Sequence, residues 1–76
     1  MITYFKSQLT LTEGLIAVID DYWNLKINET EFILYIGQVS ENNKQLLFKN
    51  GNYVSIVKQR LGVKRLDLLD RILKRK

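Results

Sequence analysis

Apolar residues in this chain recur with a helical period over most of its length, and the period breaks at a few polar or glycine positions. The clearest run is Leu11 to Trp23. Leu11, Leu15, Val18, Ile19, Tyr22 and Trp23 fall on one side of a helix, and Glu13, Ala17, Asp20, Asp21 and Asn24 take the other. Ser7 and Thr10 both offer N-cap oxygens ahead of it. Gly14 lies inside the run, where glycine costs about 1 kcal/mol against alanine, so a close neighbour is expected there. Met1 to Phe5 is β-branched and aromatic, suiting a short strand or an extended arm packed on the body.

A second helix is signalled by Asn28-Glu29-Thr30-Glu31, a capping box in which Asn28 caps and Glu31 reaches back. Phe32, Ile33, Tyr35, Ile36 and Val39 then share one face and leave Leu34 outside it. Continued past Glu41, this helix would turn Asn43 into the apolar face, so it is expected to end near Ser40–Asn42. Lys44 to Phe48 returns Leu46, Leu47 and Phe48 to the core.

Residues 32–57 also admit a rival pattern. Phe32 to Ile36 is rich in strand formers, and Asn50-Gly51 is a strong hairpin signal, so residues 32–39, 45–49 and 53–57 could pair as a three-stranded meander. Gly51 serves equally as the left-handed residue closing a helical turn, with Asn52 capping the next helix. The capping box at Asn28 favours helix. The expected fold is therefore all-α, four to five short helices in one domain over residues 1–76, with the α+β meander as the alternative.

The last stretch reads as a helix from Asn52 to Leu61, a break at Gly62, and a helix from Val63 to Lys74. Val63, Leu66, Leu69, Ile72 and Leu73 are expected on its buried side, and Lys64, Asp67, Arg71, Lys74 and Arg75 on the opposite one. Asp67–Arg71 and Asp70–Lys74 are spaced as i,i+4 ion pairs in the favoured order.

Charge adds a direction to this picture. Residues 1–57 carry a net −2 and residues 58–76 a net +6, a division that suits an anionic partner. Lys58, Arg60, Lys64, Arg65, Arg71, Arg75 and Lys76 are the candidate contacts to nucleic-acid phosphates, made without reading sequence. A basic C-terminal helix equally satisfies its own dipole and solubilises the domain. The pattern Val57-x-x-x-Leu61-Gly62-Val63 resembles a helix-turn-helix, but Lys58 stands where that motif packs tightly, and Asp67 and Asp70 would repel phosphate. The second class of partner is a protein, bound by an interaction module or inhibitor using exposed apolar residues such as Leu34. The chain has 76 residues, and a domain of that size buries only about 60% of its unfolded surface, which makes a homodimer a candidate state.

Inventory removes other classes. There is no histidine and no cysteine, hence no imidazole base, no thiolate nucleophile and no nitrogen or sulfur metal ligand set. Asp20 and Asp21 diverge by about 100° on a helix and are expected to form a solvated face. A non-enzymatic protein without a cofactor is expected. The absence of cysteine, of a signal-peptide pattern and of a membrane-length apolar run makes cytoplasmic residence without membrane insertion the expectation.

Tyr4-Phe5-Lys6-Ser7-Gln8, Ile19-Asp20-Asp21-Tyr22-Trp23-Asn24, Asn42-Asn43-Lys44 through Leu47-Phe48-Lys49-Asn50-Gly51, and Val57-Lys58-Gln59-Arg60-Leu61-Gly62 with Arg65-Leu66 carry a resemblance over nearly the whole chain. The chain resembles a family of small proteins of clostridial and bacillar Gram-positive bacteria. The resemblance implies a compact fold that is helical over the region matching Glu29–Glu41; it implies no activity and no site residue. Members typically carry a basic residue where this chain has Val63, which implies a slightly weaker basic cluster here.

Overall fold

The computed structural model describes residues 2–74. In chain order these form α1 (Gln8–Trp23), α2 (Glu29–Asn42), α3 (Lys44–Leu47), β1 (Phe48–Lys49), β2 (Asn52–Tyr53) and α4 (Ser55–Lys74). The fold is mainly helical. α4 is broken at Gly62, where φ is 75° and ψ 178°, so residues 55–61 and 63–74 are separate arms.

Helix α1 starts at Gln8, three residues ahead of Leu11, because Ser7 takes the cap. The Ser7 hydroxyl accepts the Thr10 N–H and the Thr10 hydroxyl oxygen accepts the Ser7 N–H, both at 3.2 Å. Leu11, Leu15, Val18 and Ile19 are buried, as their spacing requires. At the other end the Lys26 N–H donates to the Asp21 carbonyl and the Leu25 N–H to that of Tyr22, closing a Schellman motif around Leu25 at φ 62°.

Asn28 caps α2, its Oδ1 accepting the Glu31 N–H at 2.8 Å. Glu31 reaches back to the Asn28 side-chain amide, at 2.9 Å, rather than to its backbone. Phe32, Ile36 and Val39 are buried, Phe32 stacks on Tyr22 with ring centroids 4.3 Å apart, and Leu34 stands out at 63% exposure. The helical pattern of residues 29–42 thus prevails over the strand propensity of Phe32–Ile36, and the three-stranded meander does not form.

Part of the rival pattern is nevertheless present. Asn50 and Gly51, at φ 53° and 77°, turn a two-stranded antiparallel hairpin that pairs Phe48 with Tyr53 and Lys49 with Asn52. Asn52 therefore lies in a strand and does not cap a helix, and α4 begins only at Ser55. The Val54 N–H donates to the Leu47 carbonyl at 3.0 Å, and both residues are buried. That closure seals the core below the hairpin.

Residues 2–5 lie as an extended arm outside any strand. Buried Asn43 holds the arm: its Oδ1 accepts the Phe5 N–H at 3.0 Å, and its Nδ2 donates to the carbonyls of Thr3 at 2.8 Å and Val39 at 2.7 Å. The Tyr35 hydroxyl donates to the Ile2 carbonyl at 2.6 Å. Phe5 is the neighbour expected at Gly14, since a Cβ there would meet the ring at 2.7 Å.

Helix α4 packs mainly on α1 and also on α2. Val57, Leu61, Leu69 and Ile72 enter the core; Leu66 and Leu73 are half-buried. Val63, expected among them, is 86% exposed. The break at Gly62 leaves residue 63 at the free start of the second arm, one turn before Leu66 reaches the core. Among the described residues, no helix is long and apolar enough to cross a membrane.

Candidate nucleic-acid interface

The basic end divides into cations that hold the fold and cations that do not. Arg65 belongs to the first group. Its Nε and Nη2 donate to Asp20 Oδ1 and Oδ2 at 3.0 and 3.1 Å, its Nη1 reaches the Leu61 carbonyl at 3.5 Å, and its guanidinium lies 6.0 Å from the Trp23 ring centre. Asp20 is accordingly half-buried and paired, where a solvated face was expected. Trp23 is exposed, against the apolar helix face on which its spacing places it, and Tyr4 of the arm is exposed as well.

On the second arm Arg71 pairs with Asp67 at 3.1 Å and Lys74 with Asp70 at 3.0 Å, the i,i+4 pairs anticipated from spacing. Asp70 also accepts the Tyr53 hydroxyl at 3.0 Å. Lys74 and Tyr53 together hold the Asp70 carboxyl below its ordinary pKa. Burial, reinforced by Asp70, pushes the Tyr53 phenol above its own. These pairs offset much of the arm's positive charge. Arg75 and Lys76 lie outside the described residues.

Lys58, Arg60 and Lys64 are exposed and make no ion pair among the described residues. Lys58 and Arg60 line one shallow groove of about 650 Å³ between the hairpin and the first arm of α4. Lys49 of β1 lines it too, and no carboxylate does among the described residues. Sequence reasoning missed Lys49 because it sits in the stretch of net negative charge. The signal that could have found it is Asn50-Gly51, since a hairpin there folds Lys49 back opposite Asn52, three residues before α4 begins.

Across the hairpin lies a second groove, of about 570 Å³, lined by the apolar residues Phe48, Tyr53, Val63 and Leu66 and by the charged residues Asp67, Asp70 and Lys74. The hairpin thus separates a groove whose described charged residues are all cations from one that mixes apolar residues with charges of both signs. Only one residue, Gly62, interrupts α4, where a helix-turn-helix has a turn of three to four residues.

Residues 2–74 match the model of the CLB_0814 family, described as a conserved hypothetical protein. The chain belongs to that family. The match spans every described residue and accords with the clostridial resemblance carried by the sequence. No curated protein and no solved structure matches the chain.

Proposed function

We propose that the protein is a non-enzymatic, cytoplasmic nucleic-acid binder that grips backbone phosphates in the groove of Lys49, Lys58 and Arg60. One observation carries this reading: three exposed cations share a groove whose described lining includes no carboxylate. Phosphate oxygens take charge-assisted hydrogen bonds from such groups, and a nearby carboxylate would oppose them. Lys64 extends the surface beyond Gly62. Arg65, committed to Asp20, is left out of it.

Three phosphate contacts imply weak binding with a log–log salt slope of about −3 on duplex DNA. The test is retention on duplex and single-stranded DNA and RNA across a salt series. Lys58→Glu with Arg60→Glu is expected to abolish retention, whereas Lys64→Glu with Arg71→Glu weakens it only partly. Absence of retention at low salt would overturn the proposal.

A protein partner is the second reading, favoured by Val63, exposed beside Leu66, Phe48 and Tyr53 in the opposite groove. Concentration-dependent dimerisation, or a co-purifying protein whose binding survives both charge reversals but is lost in Val63→Asp, would support it.

A further inference from the structure

The basic groove carries more than charge. Gln8, Asn50, Asn52 and Gln59 bring four exposed carboxamides to its walls. The side chains of Gln8, Asn50 and Gln59 make no hydrogen bond among the described residues. Asn52 uses its Oδ1 to accept the Tyr53 N–H at 2.9 Å and keeps its NH₂ free. A phosphate only accepts hydrogen bonds, and the three cations already supply donors for it. A carboxamide both donates and accepts. Its complement on a sugar–phosphate backbone is the ribose 2′-hydroxyl, which also does both and which DNA lacks.

The groove is poorly equipped for single strands. Proteins that hold unpaired bases stack them on exposed aromatic rings. Tyr53 is the one aromatic residue in the described lining of this groove; its ring packs 5.0 Å from that of Phe48 and its hydroxyl is held by Asp70. The surface therefore offers contacts for sugars and phosphates but no free platform for a base. An A-form duplex presents 2′-hydroxyls and phosphates together along a wide, shallow minor groove.

We infer that the groove takes the minor-groove edge of double-stranded RNA, with Lys49, Lys58 and Arg60 on phosphates and the carboxamides on 2′-hydroxyls. This rests on the nucleic-acid reading above and narrows its ligand. The deciding experiment measures binding to duplex RNA, duplex DNA of the same sequence and the single-stranded RNA, all at one salt concentration.

Duplex RNA is expected to bind about tenfold more tightly than duplex DNA, the effect of one or two net hydrogen bonds. Duplex RNA with 2′-deoxy substitutions should fall to the DNA value, an arm that needs no protein variant. Asn52→Ala with Gln59→Ala should bring the RNA-to-DNA affinity ratio from about ten to about one. Equal affinity of the wild-type protein for both duplexes, or tighter binding of the single strand, would overturn the RNA assignment while leaving phosphate binding standing. No binding to any of the three would overturn both.

Discussion

Arg65 grips Asp20 with two nitrogens, Nε on Oδ1 at 3.0 Å and Nη2 on Oδ2 at 3.1 Å, and so ties α4 to α1 across 45 positions of sequence. This cation is spent on the fold. Arg65→Gln should lower the thermal unfolding midpoint and leave nucleic-acid retention of the folded protein unchanged. Arg65→Lys should not restore the midpoint, because an ammonium lacks the planar fork that meets both oxygens. Lys58→Gln should do the reverse, weakening retention at an unchanged midpoint. Loss of retention in folded Arg65→Gln would return Arg65 to the binding surface.

Gly14 and Phe5 make a second testable pair. Alanine for glycine within a helix ordinarily stabilises by about 1 kcal/mol. At Gly14 the new methyl would meet the far end of the Phe5 ring at 2.7 Å, so the ring must shift from its place over α1 while Asn43 keeps the Phe5 backbone where it is. Gly14→Ala should therefore destabilise the wild-type protein, yet stabilise a Phe5→Ala background by about 1 kcal/mol. Urea titrations of the four proteins check the change of sign.

Asn43 is the polar hub of the core edge. Asn43→Leu would leave the Phe5 N–H and the Thr3 carbonyl without the partner that joins arm to body. A loss of about 1–3 kcal/mol is expected in urea unfolding, on the scale of one buried and two half-buried groups left unpaired. Hydrogen exchange should show the Phe5 amide protected in the wild type and unprotected in the variant.

Leu25 occupies the left-handed C′ position that glycine usually fills, and its side chain is 90% exposed. Holding an L-residue there costs about 1 kcal/mol, and the exposed leucine offers little packing in return. Leu25→Gly should raise the unfolding free energy by about 1 kcal/mol, measured by urea denaturation.

The Tyr53–Asp70–Lys74 contact gives stability a dependence on pH at both ends. Asp70 has a depressed pKa in the fold, so its contribution is present above its ordinary value of 3.8 and is lost as pH falls through the lower folded value. Tyr53 has a raised pKa, so its contribution is present below its ordinary value of 10.0 and is lost as pH rises toward the higher folded one. Tyr53→Phe should reduce both limbs, leaving on the alkaline side the contribution of Tyr35, whose phenol burial also raises. Unfolding midpoints across the pH range, with tyrosinate absorbance on the alkaline side, check both limbs.

Local chemistry was legible along the chain. The Asn28 cap, the buried positions Leu11, Leu15, Val18 and Ile19 of α1 and Phe32, Ile36 and Val39 of α2, the exposed Leu34, the Gly62 break and the two i,i+4 ion pairs each depend on residues a few positions apart. Their geometry follows from helical pitch and from the φ that glycine tolerates. The candidate site was legible only in part: Lys58 and Arg60 stood out by charge, whereas Lys49 needed the hairpin.

Three matters were left to the tertiary structure. Asn50-Gly51 satisfies a hairpin and a helix end alike, because both use a positive φ; burial of Leu47 and Val54 and the bond between their backbones decide for the hairpin. Val63 has the period of a core residue, but core membership depends on what stands opposite, and nothing packs over it. Arg65 and Lys58 look equivalent in a charge count. One faces Asp20 across the α1–α4 interface and the other faces a groove, a difference set by how helices dock and not by the spacing of residues within either.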